Sequence, residues 1–273
     1  MRPGTVYLVG AGPGDPELMT VKARRVLDGA AVVYHDSLVS EAVIESIPDA
    51  TRLVGVDECS DGERASQAEI TRPLVRRATA GEDVVRLRSG DPCVFGRGGE
   101  EAEHLASAGI PFEIVPGVTG AVAGPGVAGI PPTHRDHASS VTVVTGYEDP
   151  TEEHSALDWT ALARSVTAGG TLIIPMGVAR PSDTVAALRE GGVDPGTPVA
   201  VVEDASRASA FTVTGTTETI TDRTREVGTD PPAVTVVGDV VSVRDRVFEF
   251  LHAGGTARQS GGTAGDGSPI STE

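Results

Sequence analysis

The stretch at residues 86–101 holds the densest set of chemically competent side chains in the sequence. It places three arginines, the carboxylate of Asp91 and two glycine clusters between an apolar strand pattern and a helix pattern. Glycines at a strand end leave backbone amide and carbonyl groups open to a ligand, because no side chain blocks the approach. Arginine guanidiniums suit carboxylates. The composition of this loop therefore favours an anionic-ligand site over a plain glycine-rich turn.

A second glycine loop, residues 10–16, follows the first apolar strand pattern and precedes a helix pattern. Strand, glycine turn and helix at the start of a chain are typical of nucleotide-binding α/β domains. Asp36 ends the next strand pattern, which is also where a dinucleotide-binding oxidoreductase would hold a ribose. However, Gly10, Gly12 and Gly14 alternate, whereas that fingerprint is G-x-G-x-x-G, and two prolines stiffen the turn. The oxidoreductase interpretation is therefore disfavoured.

The elements that must position these loops alternate through both halves of the chain, which predicts an α/β fold. Predicted strands lie at 5–10, 30–35, 51–56, 83–88, 112–115, 141–145, 171–175, 198–202, 210–216 and 233–238. Predicted helices lie at 17–28, 40–47, 66–80, 98–108, 119–127, 157–166, 181–190, 217–226 and 241–252. Strand 210–216 follows its predecessor without a helix, so we expect it to be antiparallel. Ligands gather at the carboxyl ends of strands, which predicts a cleft between two domains.

Domain limits follow from composition. The polar segment at 133–140 predicts a crossing between an N-terminal domain at 1–135 and a C-terminal domain at 139–252. Residues 253–273 are rich in Gly, Ser and Thr and are expected to form a disordered tail.

The formal net charge of −17, with Lys22 as the sole lysine, predicts a surface that repels nucleic acid and anionic membranes. No run of eighteen apolar residues and no signal peptide are visible, so we expect a cytoplasmic protein. A reduced thiol state is expected for Cys59 and Cys93. An acidic surface almost free of lysine also suggests adaptation to a salt-rich cytoplasm.

The two glycine loops, with the segments around them, resemble the uroporphyrinogen-III C-methyltransferase family within the tetrapyrrole methylases. The resemblance extends from Val6 to about Phe250. Its pieces are Val6–Pro16, Asp36–Ser40, Arg86–Glu101, Val115–Thr119, Gly129–Arg135, Val144–Gly146, Pro175–Gly177, Pro198–Glu203 and Pro232–Gly238. The Gly-Arg-Gly-Gly-Glu-Glu and Thr-His-Arg pieces are more similar to the uroporphyrinogen enzyme than to later corrin-pathway relatives.

The resemblance implies a two-domain tetrapyrrole methylase fold with the active-site cleft between the domains. It implies S-adenosylmethionine-dependent methylation of uroporphyrinogen III at carbons 2 and 7, giving precorrin-2 through precorrin-1, with S-adenosylhomocysteine as by-product. A homodimer without a metal is the expected form. The histidines His134 and His137 are accordingly interpreted as loop residues and not as metal ligands.

The cofactor and catalytic residues are carried over from the family at matching positions, and the substrate arginines are inferred from the carboxylates of the implied substrate. The expected cofactor contacts are Pro13, Ser89, Gly90, Asp91, Val94, Thr119, Gly120, Met176, Ala205 and Ala233. Asp36 is the expected proton acceptor. The expected partners of the substrate carboxylates are Arg88, Arg97 and Arg135, with Arg24 and Arg86 as further candidates. Three of these residues have a plainer interpretation: Asp36 and Asp91 as helix caps, and Met176 as a core residue.

The sequence departs from the family pattern at three positions. Ser89 and Ala205 stand where the family usually has glycine, and serine is tolerable only if the backbone needs no positive φ. Val56 replaces a lysine that the family often uses as proton donor, so no donor is named. Two other functions therefore stay open: a later precorrin or cobalt-precorrin methyltransferase, and a non-catalytic S-adenosylmethionine-binding sensor.

Overall fold

The computed structural model describes residues 2–56, 67–152, 155–177, 181–229 and 231–249. The first half of the chain forms a parallel sheet in the order β3-β2-β4-β1-β5. Its strands are β1 (Val6–Gly10), β2 (Val32–His35), β3 (Arg52–Gly55), β4 (Val84–Arg88) and β5 (Phe112–Val115). The helices of this half are α1 (Val21–Asp28), α2 (Glu41–Glu45), α3 (Gln67–Thr79) and α4 (Gly98–Ser107).

Both faces of this sheet are covered, as expected where helices connect parallel strands. Val9, Val85 and Leu87 pack on one face in a cluster that includes Leu27 of α1. Leu8 and the other strand residues whose side chains point to the opposite face pack there with Leu74 of α3 and Leu105 of α4. Two-sided burial explains why the central strands β1, β2 and β4 read as nearly continuous apolar runs. Because all the strands of this sheet are parallel, their carboxyl ends lie at one edge.

One predicted helix is divided in the structure. The sequence pattern predicts a helix over 17–28, but a 3₁₀ turn at Pro16–Leu18 ends before α1 begins at Val21. The reason is local: the Asp15 side chain accepts a hydrogen bond from Glu17 N at 2.8 Å, and Thr20 caps α1 through Ala23 N at 3.2 Å. The single-helix prediction is wrong here, because two capping residues separate the turns.

The second sheet is mixed, in the order β6-β7-β10-β8-β9. Its strands are β6 (Val141–Val143), β7 (Thr171–Pro175), β8 (Pro198–Glu203), β9 (Phe211–Thr216) and β10 (Ala233–Val237). The pair β6·β7 is parallel, and the other three pairs are antiparallel. The antiparallel placement of 210–216 is confirmed. Helices α6 (Trp159–Thr167), α7 (Pro181–Glu190), α8 (Ile220–Val227) and α9 (241–249) complete this half.

Helix α5 (Gly120–Val127) lies between the two halves in the chain but packs with the second sheet. Ala121 and Ala128 join the core that includes Ile173 and Val234. Helix α5, which lies within the predicted N-terminal domain at 1–135, thus shares a core with the second sheet. The predicted tail at 253–273 and Cys59 lie outside the described residues, and Cys93 is exposed with a free thiol. Within the described residues, no helix is both long and apolar enough to cross a bilayer.

Candidate active site

Three loops at the carboxyl edge of the first sheet touch through their backbones. Gly12 N donates to Gly90 O at 3.1 Å, and Gly90 N donates to Gly12 O at 2.8 Å. A Cβ atom placed on Gly117 would lie 2.1 Å from Gly90 O, closer than any real contact. Glycine is therefore required for the loops after β1, β4 and β5 to meet, and Gly90 itself has a positive φ of 69°.

These loops and the second domain enclose a cleft of about 190 Å³. All ten residues predicted to contact the cofactor line it, and so do Asp36 and Arg88. The cleft also contains nine residues that sequence reasoning did not single out: Leu38, Phe95, Gly96, Ala121, Pro175, Val202, Arg207, Pro232 and Val234. The sequence-predicted set therefore converges on one cavity, although the sequence alone identified only part of its wall.

Asp91 joins two of the loops and does not cap a helix. One carboxylate oxygen accepts from Cys93 N at 2.8 Å, and the other accepts from Gly117 N at 3.0 Å. The cap position of α4 is Arg97, which makes no side-chain capping bond. Each oxygen of Asp91 keeps acceptor capacity toward the cleft, because a carboxylate oxygen has two lone pairs.

The neighbouring Ser89 is accommodated because its backbone has no positive φ; the left-handed conformation falls on Gly90. The substitution of serine for the family glycine therefore costs no backbone strain at this position.

The second domain supplies a largely apolar wall. Met176 lines the cleft with its backbone held at φ 61°, and Met176 N donates to Ala233 O at 3.1 Å. Its side chain is thus a cleft residue and not a plain core methionine. The four described non-glycine residues with positive φ are Phe95, Met176, Asp204 and Ser206. Two of them line the cleft and the other two flank Ala205, so backbone strain is concentrated at the site.

The loop at 204–207 connects the two domains across the cleft. Arg207 donates to the carbonyl oxygen of Leu38 at 3.0 Å and pairs with Asp204 at 3.2 Å. Ser206 Oγ accepts from Asp15 N at 3.2 Å. No motif in the sequence indicated that Arg207 lines the cleft. The one available indication was that it follows the predicted cofactor residue Ala205 by two positions.

Asp36 belongs to a buried ring of alternating charges, in which two arginines each contact two carboxylates. Arg86 donates to Asp36 Oδ1, and its Nε donates to Glu101 Oε1 at 3.0 Å. Arg88 donates to the same oxygen of Glu101 at 2.8 Å and lies 3.6 Å from Asp36 Oδ2. The side chains of Arg86 and Glu101 are 1% and 0% exposed, and that of Asp36 is 12% exposed.

Asp36 does not cap the following helix, since Ser40 does: its Oγ accepts from Val43 N at 3.3 Å. Strand order explains the ring, because β2 and β4 are neighbours and Asp36 follows β2 where β4 presents its arginines.

The ring keeps Arg86 charged. Burial is the largest single influence and lowers the pKa of the Arg86 guanidinium. The attraction of Asp36 and Glu101 and their hydrogen bonds together outweigh burial, so the pKa of Arg86 lies above its ordinary value. A group whose pKa is raised by folding stabilises the folded state at every pH below its unfolded-state pKa. That stabilisation is lost only as the pH rises through the folded-state pKa. Arg86 is therefore a fixed cation at every physiological pH.

The remaining arginine candidates lie elsewhere. Arg97 does not line the cleft; its side chain is 56% exposed and sits 3.7 Å from Glu100. Arg135 is exposed and also outside the cavity lining. Arg24 donates to Ser46 O at 3.0 Å, away from the cleft. Arg86 is enclosed by its carboxylates, so Arg88 is the one predicted substrate arginine that borders the cavity.

Val56, His134 and His137 do not line the cavity. Val56 packs against the core beside α3 and α4, so the position of the family lysine carries no cation here. His137 contacts Arg246, and His134 Nδ1 accepts from Asp136 N at 3.1 Å. In the described part of the chain, no three His, Cys, Asp or Glu side chains are grouped for a metal ion.

The residues that line the cleft are compatible with S-adenosylmethionine. Small residues leave room: a Cβ atom on Gly120 would meet nothing within 4 Å, which is open space at the start of α5. The apolar wall around Met176 suits an adenine ring, and Asp91 suits an ammonium group or a hydroxyl. The residues present therefore match an amphiphilic cofactor with a flat ring and a charged end.

Comparisons with known proteins decide the family. The family model of the Tetrapyrrole (Corrin/Porphyrin) Methylases matches residues 5–221. This chain is a tetrapyrrole methylase.

Among its relatives, the S-adenosyl-L-methionine-dependent uroporphyrinogen III methyltransferase of Methanosarcina barkeri is 49% identical over 90% of this methylase and 95% of the relative. The siroheme synthase of Nitrosomonas europaea is 40% identical over 97% of this chain, which spans only 54% of that longer protein. The uroporphyrin-III C-methyl transferase of Thermus thermophilus in complex with S-adenyl homocysteine is 41% identical, with a TM-score of 0.72 over 88% of this chain and 100% of that one. The predicted two-domain fold is confirmed.

Proposed function

We propose that this methylase transfers methyl groups from S-adenosylmethionine to carbons 2 and 7 of uroporphyrinogen III, giving precorrin-2. The observation that carries the proposal is a cavity lined by the whole set of predicted cofactor residues beside a buried, ion-paired Asp36. The relative from Methanosarcina barkeri, 49% identical over nearly its full length, is named for this reaction. That likeness favours uroporphyrinogen III over a later precorrin substrate.

The bound cofactor supplies an electrophilic methyl group whose bond to sulfur breaks as a new bond to a pyrrole carbon forms, with the electron pair leaving on sulfur. The chain contributes orientation and proton transfer. The loops at Gly90 and Gly120 and the wall at Met176 would hold the methyl donor beside the ring carbon. Asp36 takes the proton that the methylated pyrrole must lose, and passes it to solvent through the open cleft.

The substrate's carboxylates require cations against a protein of net charge −17. Arg88 borders the cavity, and Arg97 and Arg135 are exposed outside it, where the propionate and acetate arms of a large macrocycle would extend. Guanidinium groups bind such carboxylates in bidentate geometry. We therefore assign recognition of the macrocycle rim to these three arginines.

We also propose a homodimer that works in the cytoplasm without a metal ion. The edge strand β5 and helix α5 support the dimer, because Phe112, Ile114 and Val122 are exposed there. Light scattering at micromolar concentration tests the assembly, and treatment with a chelator tests the metal, with unchanged turnover expected.

Salt adaptation gives a further prediction for the acidic surface. At a net charge of −17, the acidic side chains of the folded protein repel one another. Salt at about 1 M shortens the Debye length to about 3 Å and so screens this repulsion. We expect the thermal midpoint of unfolding to rise between low and molar potassium chloride. A midpoint that does not change with salt would remove the adaptation hypothesis.

The function is tested by product mass. The purified protein is incubated anaerobically with S-adenosylmethionine and uroporphyrinogen III in molar salt, with a matched incubation that omits the methyl donor. We expect the oxidised product to gain two methyl groups. Binding of S-adenosylhomocysteine without any mass gain would contradict the proposal and point to a later precorrin substrate or a cofactor sensor.

A further inference from the structure

The buried Glu101 has no part in the reaction proposed above. Its side chain is fully buried and does not line the cleft, so it touches neither cofactor nor substrate. Yet one of its oxygens accepts from both Arg86 and Arg88, the same two arginines that face Asp36. An acidic side chain enclosed in an α/β core is uncommon and needs partners of this kind.

The geometry divides the positive charge of the two arginines between two carboxylates. Arg86 contacts Asp36 and Glu101 through different nitrogens, and Arg88 does the same at 3.6 Å and 2.8 Å. If both arginines served Asp36 alone, they would hold its carboxylate so firmly that it would be a poor proton acceptor. Glu101 draws part of that attraction away while the arginines still fix the orientation of Asp36.

We propose that Glu101 and Arg86 are positioning residues that set the proton affinity of Asp36 in opposite directions. This inference rests on the proposed function, since it gives Asp36 the role of proton acceptor. Arg86 holds the carboxylate at the cleft and weakens it as a base, whereas Glu101 strengthens it as a base without reaching the reacting atoms. In the proton transfer, the pyrrole loses its proton to an oxygen of Asp36, and the resulting carboxylic acid returns that proton to water.

Several charged or titratable groups of the described residues lie near Asp36 or line the same cleft. Arg86 and Arg88 face it from β4, and Glu101 reaches the same arginines from α4. His35 precedes Asp36 on β2, with its Nδ1 3.1 Å from the Asp36 carbonyl oxygen. Asp91 and Arg207 line the same cleft on other loops. Arg88, His35, Asp91 and Arg207 are unchanged in the variants below, so differences between variants report on Glu101 and Arg86.

The test uses Glu101→Gln, Arg86→Gln and the double variant in the full chain. The glutamine at 101 keeps the shape of the side chain and removes its charge. We expect the acidic limb of the pH profile of kcat/KM to move to lower pH in Glu101→Gln and to higher pH in Arg86→Gln, each by about one to three units. The double variant removes one charge of each sign and should return toward the parent profile. Glu82→Gln, at an exposed ion pair with Arg77, is the matched control and should leave the limb unmoved.

A second readout does not need turnover. The carboxyl ¹³C resonance of Asp36, assigned by its loss in Asp36→Asn, is titrated in the cofactor-free protein. Its midpoint should move in the same opposite directions as the kinetic limb. If Arg86→Gln does not fold, Glu101→Gln and the double variant still provide the comparison.

The outcomes separate this inference from the proposed function. Opposite shifts in both readouts support it. A Glu101→Gln profile that matches the parent, or that moves to higher pH, overturns it even when the parent methylates uroporphyrinogen III. A parent without methylated product would refute the proposed function, and the ¹³C titration would still decide whether Glu101 and Arg86 act on Asp36.

Discussion

The two domains give the cleft unlike walls. The first domain contributes ionised side chains, with Asp36 held by Arg86 and Arg88 at the ends of parallel strands. Apart from Arg207, the second contributes small or apolar residues such as Met176 and Ala205. Charge held in place by buried partners suits proton transfer and carboxylate recognition, and an apolar surface suits a flat ring. We therefore expect proton transfer to depend on Asp36 of the first domain and adenine binding on the apolar wall of the second, with Gly90 and Asp91 of the first domain completing the cofactor site.

The largest effect is expected when the charged wall alone is disabled. Asp36→Asn keeps the shape of the side chain but removes the proton acceptor, so kcat should fall by about 10²- to 10⁴-fold. Steady-state kinetics measure the loss, with Asp222→Asn as a control, because Asp222 is an exposed aspartate paired with Arg225 on α8. A kcat equal to that of the parent would remove Asp36 from the reaction.

Two glycines near the cleft allow a second comparison, because Gly117 lies at a tight backbone contact whereas Gly120 borders open space. Alanine at Gly117 would drive a methyl group to 2.1 Å from Gly90 O, so we expect a loss of about 1 to 3 kcal/mol in stability and weaker cofactor binding.

Alanine at Gly120 meets nothing within 4 Å, so the fold should persist while the methyl group occupies cofactor space. Thermal unfolding and calorimetry with S-adenosylhomocysteine distinguish the two variants. Equal thermal midpoints for both would contradict this assignment.

A smaller effect on substrate kinetics is expected at Arg97, which is exposed outside the cavity. Arg97→Ala should raise the KM for the tetrapyrrole about tenfold, the worth of one charge-assisted hydrogen bond, and leave cofactor affinity unchanged. Arg225→Ala is the matched control, since both arginines are exposed and pair with an acidic residue three positions away. Unchanged substrate kinetics in Arg97→Ala would exclude Arg97 from the site.

Much of this arrangement could be predicted from the sequence. Hydrophobic periodicity, glycine turns and apolar runs located ten strands, because strands whose residues are mostly buried give long apolar runs in either sheet. The loop motifs identified residues that the fold brings to one cavity. Residues such as Asp91 were ambiguous in sequence, and the structure shows its carboxylate bridging Cys93 and Gly117.

Other features depended on tertiary contacts that no local pattern encodes. The ring joining Asp36, Arg86 and Glu101 requires β2 to lie beside β4 and α4 to pack over them, which only strand order decides. Arg207 reaches Leu38 across 169 positions of sequence. The division at Thr20 was missed because helix periodicity continues through the two caps.

The separation of the two walls is tested most directly by titrating S-adenosylhomocysteine into Met176→Ala and Asp36→Asn under identical conditions. We predict that Met176→Ala weakens binding by at least about tenfold, since it removes apolar contact from the adenine surface, while Asp36→Asn binds like the parent. Equal losses of affinity in the two variants, or a larger loss in Asp36→Asn, would contradict it.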